Sequence, residues 1–109
     1  MVTLELKWLV PQGNETAFET VIKNIFIPAV SRQPGFLGCA FLREFDDAAL
    51  AKMGVARDPH GYRLNISFET EELRLCWAET PEHDHAVGQA LKVATELVAC
   101  GFDVIANKP

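Results

Sequence analysis

Tyr62-Arg63-Leu64-Asn65-Ile66-Ser67-Phe68, followed by Glu71-Glu72-Leu73, Trp77 and Thr80-Pro81-Glu82-His83, is the stretch on which the fold turns. Tyr62, Leu64, Ile66 and Phe68 alternate with Arg63, Asn65 and Ser67, the period of a strand with one apolar and one polar face. Glu71 to Glu79 then sets Leu73, Cys76 and Trp77 at i, i+3 and i+4, on one side of a short helix. Thr80 is a good N-cap, Pro81 suits the first helical position and Glu82 the first turn, so a second helix starts there. Val87, Ala90, Leu91, Ala94, Leu97 and Val98 continue its apolar face to Gly101, a natural helix stop, which leaves Phe102 to Ala106 as a short last strand.

Upstream, Val2, Leu4, Leu6 and Trp8 alternate with Thr3, Glu5 and Lys7 as a first strand, ended by Pro11-Gln12-Gly13. Asn14 is placed to cap a helix whose apolar stripe is Ala17, Phe18, Val21, Ile22, Ile25 and Ala29. Pro28 lies inside that stripe, lacks an amide proton and clashes with the carbonyl of Asn24, which predicts a kink or break near Ile27. The helix should stop before Pro34-Gly35. Phe36 to Phe45 is apolar almost throughout and reads as a strand covered on both faces, with Leu37, Cys39, Phe41 and Phe45 on one side and Phe36, Ala40 and Leu42 on the other. Asp46 to Gly61 is a long connection with a turn of helix over Ala48 to Met53.

The order β-α-β-β-α-β, with its second helical region split, predicts a four-stranded antiparallel sheet carrying its helices on one face, the ferredoxin-like α+β arrangement. The 109 residues suit one domain. The uncovered face of such a sheet predicts a homodimer packed sheet on sheet. A net charge of −5 with scattered Lys and Arg argues against nucleic-acid binding. No window approaches the length of a membrane span and the N-terminus lacks a signal-peptide pattern, so a cytoplasmic protein is expected. Cys39, Cys76 and Cys100 are odd in number and far apart, which reads as reduced thiols buried in a core.

The strand Val2 to Leu9, Pro34-Gly35-Phe36, the run from Tyr62 through Glu71-Glu72-Leu73, and Trp77, Thr80-Pro81 and His83 together resemble the antibiotic biosynthesis monooxygenase superfamily of dimeric α+β barrels. That family includes quinol and anthrone monooxygenases and, more distantly, haem-degrading enzymes. The resemblance implies an oxygenase working without metal or flavin on a small aromatic or polyketide-derived molecule, whose anion reacts directly with oxygen. Members often end the third strand in Trp where this chain has Phe68, and quinol oxidisers carry His where it has Trp77. Trp77 instead resembles the aromatic of the anthrone-type and haem-degrading members. The haem degraders need an Asn near the end of the first strand and a haem-ligating His along the last helix. Lys7-Trp8 and Val87-Gly88 occupy those regions, which disfavours haem degradation.

On this reading Trp77, Tyr62 and Phe68 line a pocket, each with a competing role as core. His83 is the candidate base, set against a surface or capping role, and Asn65 and Arg43 are the candidate donors to an oxyanion. His83 and His85 flank Asp84, but residues two apart on a helix point about 200° from each other, so no metal site is expected. Two other functions remain open on the same fold: a non-catalytic barrel binding an apolar metabolite, and an isomerase or lyase.

Overall fold

The computed structural model describes all 109 residues, Met1 to Pro109. Strands β1 (Val2–Leu9), β2 (Phe36–Arg43), β3 (Tyr62–Phe68) and β4 (Glu96–Asp103) form one antiparallel sheet in the order β2-β3-β1-β4. The helices are α1 (Glu15–Val21), a π-turn (Ile22–Phe26), α2 (Ile27–Ser31), α3 (Asp47–Met53), α4 (Glu71–Ala78) and α5 (Pro81–Ala90). This is the ferredoxin-like α+β fold. Leu6 and Trp8 of β1 and Tyr62, Leu64, Ile66 and Phe68 of β3 are buried beneath the helices, as their alternation predicts.

An aromatic layer joins sheet to helices. The Trp8 ring lies 5.3 Å from Phe18 and 6.1 Å from Phe26, and Phe26 lies 6.0 Å from Trp77. Full burial of each such side chain stabilises the fold by roughly 1.5–3 kcal/mol. Phe18 and Phe26 are eight residues apart on one helical run, and both are wholly buried. In an unbroken α-helix they would point about 80° from each other. The π-turn removes that angle: the Ile27 amide bonds back to the Ile22 carbonyl, five residues earlier, so this turn holds about one residue more than an α-turn. The disturbance expected from Pro28 therefore takes the form of a wider turn just ahead of it, and the run ends at Ser31.

Three other expectations are corrected. The helix from Pro81 stops at Ala90, and Leu97 to Gly101 belongs to β4, with Trp8 opposite Leu97 and Leu4 opposite Gly101. A run such as Leu97-Val98-Ala99-Cys100 suits either period, and the unfilled hydrogen-bonding edge of β1 decides for strand. In β2 the register steps between Phe36 and Gly38, leaving Leu37 as a bulge. One extra residue inverts the alternation, so Phe36 packs edge-on against Phe68, 6.2 Å away, while Leu37 is half exposed. Third, Asn14 places no side-chain cap on α1; its amide instead donates to the Val93 carbonyl at 3.1 Å.

The connection after β2 holds a helix close to the expected one, with the Asp46 side chain accepting from the Ala49 amide and Gly54 in the left-handed conformation at its end. None of the three cysteines is buried, and Cys76 is exposed, because α4 turns Trp77 inward. The uncovered sheet face is polar at its centre, where Thr3 Oγ1 and Ser67 Oγ lie 2.9 Å apart and Arg63 faces Glu5 at 3.8 Å. Its apolar groups, among them Leu42 and Phe102, sit on the outer strands. No helix is long and apolar enough to cross a membrane.

Gly35 joins the long helix to β2 at φ +82°, and a Cβ there would meet the Leu73 side chain at 2.5 Å and 2.9 Å. Gly35→Ala should therefore cost about 2 kcal/mol or more of stability from strain and displaced packing. Urea denaturation measures it, and a loss below about 0.5 kcal/mol would contradict this account of the turn.

Candidate functional site

An open cleft of about 970 Å³ lies between α1 and the far ends of β2 and β3, walled on its other side by the connection to β3. Glu19, one residue after the buried Phe18, projects from α1 into it. Its carboxylate accepts a hydrogen bond from the Tyr62 hydroxyl at 2.6 Å and one from Arg43 Nη1 at 3.3 Å, and Lys23 Nζ lies 3.8 Å away. The Tyr62 bond, opposed by partial burial and aided by Arg43 and Lys23, holds the Glu19 carboxyl below its usual range. Burial first, and then Glu19, pushes the Tyr62 phenol up to about 12. The Tyr62 ring stacks on Phe41 at 5.7 Å and 21°, which gives the cleft an aromatic side.

The opposite wall is tied together from within. Arg57 donates to Asp47, Glu44 and the Phe45 carbonyl, and the Asp58 amide donates to Glu44. Asp58 also accepts from Arg63 at 2.7 Å and from the His60 amide, while His60 Nε2 lies 3.1 Å from Glu96. The carboxylates of that wall already have partners inside the protein. Arg43 differs: 71% of its side chain is exposed and Glu19 occupies a single N–H of its five donors. The groups left to meet a ligand are thus cationic donors beside an aromatic stack.

The six residues singled out in the sequence fall into separate places. Arg43 and Tyr62 meet at Glu19. Trp77 is 2% exposed and packs against Phe26 and against the His83 ring, 5.1 Å away. His83 Nδ1 lies 3.1 Å from Asp84, and the His83 amide donates to the capping hydroxyl of Thr80. Neither Trp77 nor His83 lines the cleft, and neither lines the smaller hollows beside β4 and beside Pro28. Phe68 is wholly buried in the core. Asn65 stands on the uncovered sheet face opposite Glu5 and Ala40, its Oδ1 shielded and without a hydrogen-bond partner. His85 turns away from His83, into a shallow groove beside Pro28 and Arg32.

Glu19 is the residue that reading the sequence missed. Its signals were faint: a carboxylate directly beside the apolar stripe at Phe18 and four residues before Lys23. Nothing local indicates that Tyr62, 43 residues later, turns its hydroxyl toward it. A carboxyl held low in the folded state adds stability above its unfolded value near 4.5, and that contribution is lost as pH falls through the folded value. Glu19→Gln should therefore cost about 1 kcal/mol at pH 7. The gap to the native chain should close as pH falls below the ordinary carboxylate range, a trend that denaturation at a series of pH values would follow; a gap independent of pH would refute the charge argument.

No protein-family sequence model and no curated sequence matches the chain. Solved structures do. A variant of SnoaB, a cofactor-independent oxygenase from Streptomyces nogalater, superposes with a TM-score of 0.78 at 18% identity, over 99% of this chain and 96% of the other. A variant of MhuD with two manganese protoporphyrin IX molecules bound per active site gives 0.75 at 27% identity, over 100% and 99%; MhuD from Mycobacterium tuberculosis is a heme-degrader. A dimeric ferredoxin-like protein of unknown function from Jannaschia sp. CCS1 gives 0.73 at 12%, over 94% and 98%. The likeness runs the full length of both chains, so this chain has the ferredoxin-like α+β fold found in the antibiotic biosynthesis monooxygenase superfamily.

Proposed function

We propose that this protein is a homodimeric monooxygenase of that superfamily which takes a small, electron-rich aromatic molecule into the cleft at Tyr62. The observation that carries the proposal is the Glu19–Tyr62–Arg43 cluster beside the Phe41–Tyr62 stack. A planar phenol or anthrone would lie along the rings, and its oxygen would take the free N–H groups of Arg43, with Lys23 close by. Opposite charge within about 4–6 Å favours the ionised form of an acid, so these cations would raise the fraction of substrate anion. For an anthrone, that anion reacts with dioxygen: one oxygen atom becomes the ring carbonyl and the other leaves as water with the two methylene hydrogens. The four electrons come from the substrate. Glu19, held low, is a poor base at neutral pH; its part is to orient Tyr62 and Arg43.

Haem does not fit this cleft. Its lining has neither imidazole nor thiolate, and the one phenol, Tyr62, is bonded to Glu19. A second reading is a binding module without catalysis, favoured by the absence from the cleft of any histidine or other side chain suited to take a proton near pH 7. His83 beside Trp77 stays the candidate base only if a ligand displaces the packing around it. The uncovered sheet face supports the dimer, together with the dimeric protein of like fold. With the expected cytoplasmic location, both belong to this reading.

Oxygen uptake with anthrones and hydroquinones tests it. The native chain should consume oxygen, and Arg43→Leu should lower kcat/KM about tenfold, the equivalent of roughly 1.4 kcal/mol. Saturable binding without uptake would establish the binding module in place of the oxygenase, and the absence of both would remove the cleft reading. Light scattering should give twice the chain mass at micromolar concentration; a monomer there would overturn the dimer.

A further inference from the structure

The π-turn has a second consequence, at the cleft. Glu19 reaches the cleft from the N-terminal side of this turn and Lys23 from within its first residues, while Phe26 at its end and Ala29 and Val30 beyond it are anchored in the core. The two halves of the run are therefore held by different partners, and their relative rotation is fixed by how many residues the turn between them holds. Closing the Ile22–Phe26 segment as ordinary α-helix, with its residue count unchanged, would rotate one half against the other by tens of degrees. Phe26 is seated against Trp8 and Trp77 and Phe18 against Trp8, Phe41 and Tyr62, so the closed run could not keep both seats, and leaving that of Phe18 would carry Glu19 away from Tyr62. Pro28 blocks that closure. It has no amide proton for the Asn24 carbonyl, and its ring excludes that carbonyl from the α position.

We propose that Pro28 is a positioning residue for the cleft: by keeping the π-turn open, it sets Glu19 in register with Tyr62 and Arg43. It touches neither a ligand nor Glu19 and acts through the helix alone. The consequence for ligand binding rests on the cleft reading above, whereas the register of Glu19 does not.

Two variants and a readout that needs no ligand test this. Tyr62 is the single tyrosine of the chain, so the ultraviolet titration of phenol reports on it alone. In the native chain it should titrate at about 12. Pro28→Ala, free to close the turn, should bring the titration back toward the ordinary 10 as Glu19 rotates away. Deleting the exposed Asn24 in the Pro28→Ala background removes the extra residue of the turn, so the helix closes as α with Phe18 and Phe26 aligned again. That double variant should regain the native titration, and with it the native affinity for any aromatic that the native chain binds. A titration unmoved in Pro28→Ala, or a double variant that fails to recover it, overturns the proposal. The second criterion holds whether or not Pro28→Ala folds. Recovered titration in a chain that binds no aromatic leaves the register intact and removes the cleft reading alone.

Discussion

One helical run has to deliver Phe18 and Phe26 to the same side of Trp8, and most of the site geometry follows from how it does so. The α-helical repeat is a poor match for a spacing of eight residues, and the π-turn ahead of Pro28 lets both rings be buried, which is worth several kcal/mol. The wider turn costs hydrogen-bond regularity over one segment. In return the whole run lies flat on the sheet, with Phe18 reaching Tyr62 and Phe41 at one end and Phe26 reaching Trp77 at the other.

That solution fills the space between sheet and helices. Trp8, Phe18, Phe26 and Trp77 occupy it together, and no buried polar residue interrupts them. A ligand of aromatic size would then find its place at the margin of the layer, where Phe41 and Tyr62 still present their rings but water and charge can reach. The cleft is therefore more polar than a cavity in the middle of the fold would be. It suits stabilisation of an anion by Arg43 better than abstraction of a proton by a tuned base.

The strand from Tyr62 to Phe68 could be read directly, because period-two alternation with a buried face leaves one register. The cap at Thr80-Pro81 and the helix over Asp47–Met53 were legible for local reasons: a hydroxyl three residues before an orphan amide, and a carboxylate and a glycine at the two ends. β2 and β4 were misread because their information is not local. The bulge at Leu37 depends on fitting Phe36 over Phe68 on the neighbouring strand, and Leu97–Gly101 becomes strand only because β1 has an open edge beside it. Of the site, Arg43 and Tyr62 were visible as types, a guanidinium and a phenol on strand ends, while Glu19 was hidden as one more helical carboxylate.

Local sequence, then, determined the kind and order of most elements, the one-sided sheet and the core face of β3, since these depend on side-chain periodicity and on caps within a few residues. The tertiary structure alone decided which residues meet. Glu19 and Tyr62 are 43 positions apart and come within 2.6 Å on a helix whose rotation depends on the π-turn that follows it and on the rings packed at its two ends. Trp77, among the most telling residues in the sequence, is closed into the core by the same packing, because a ring that size adds more stability buried against Phe26 than left at a pocket wall.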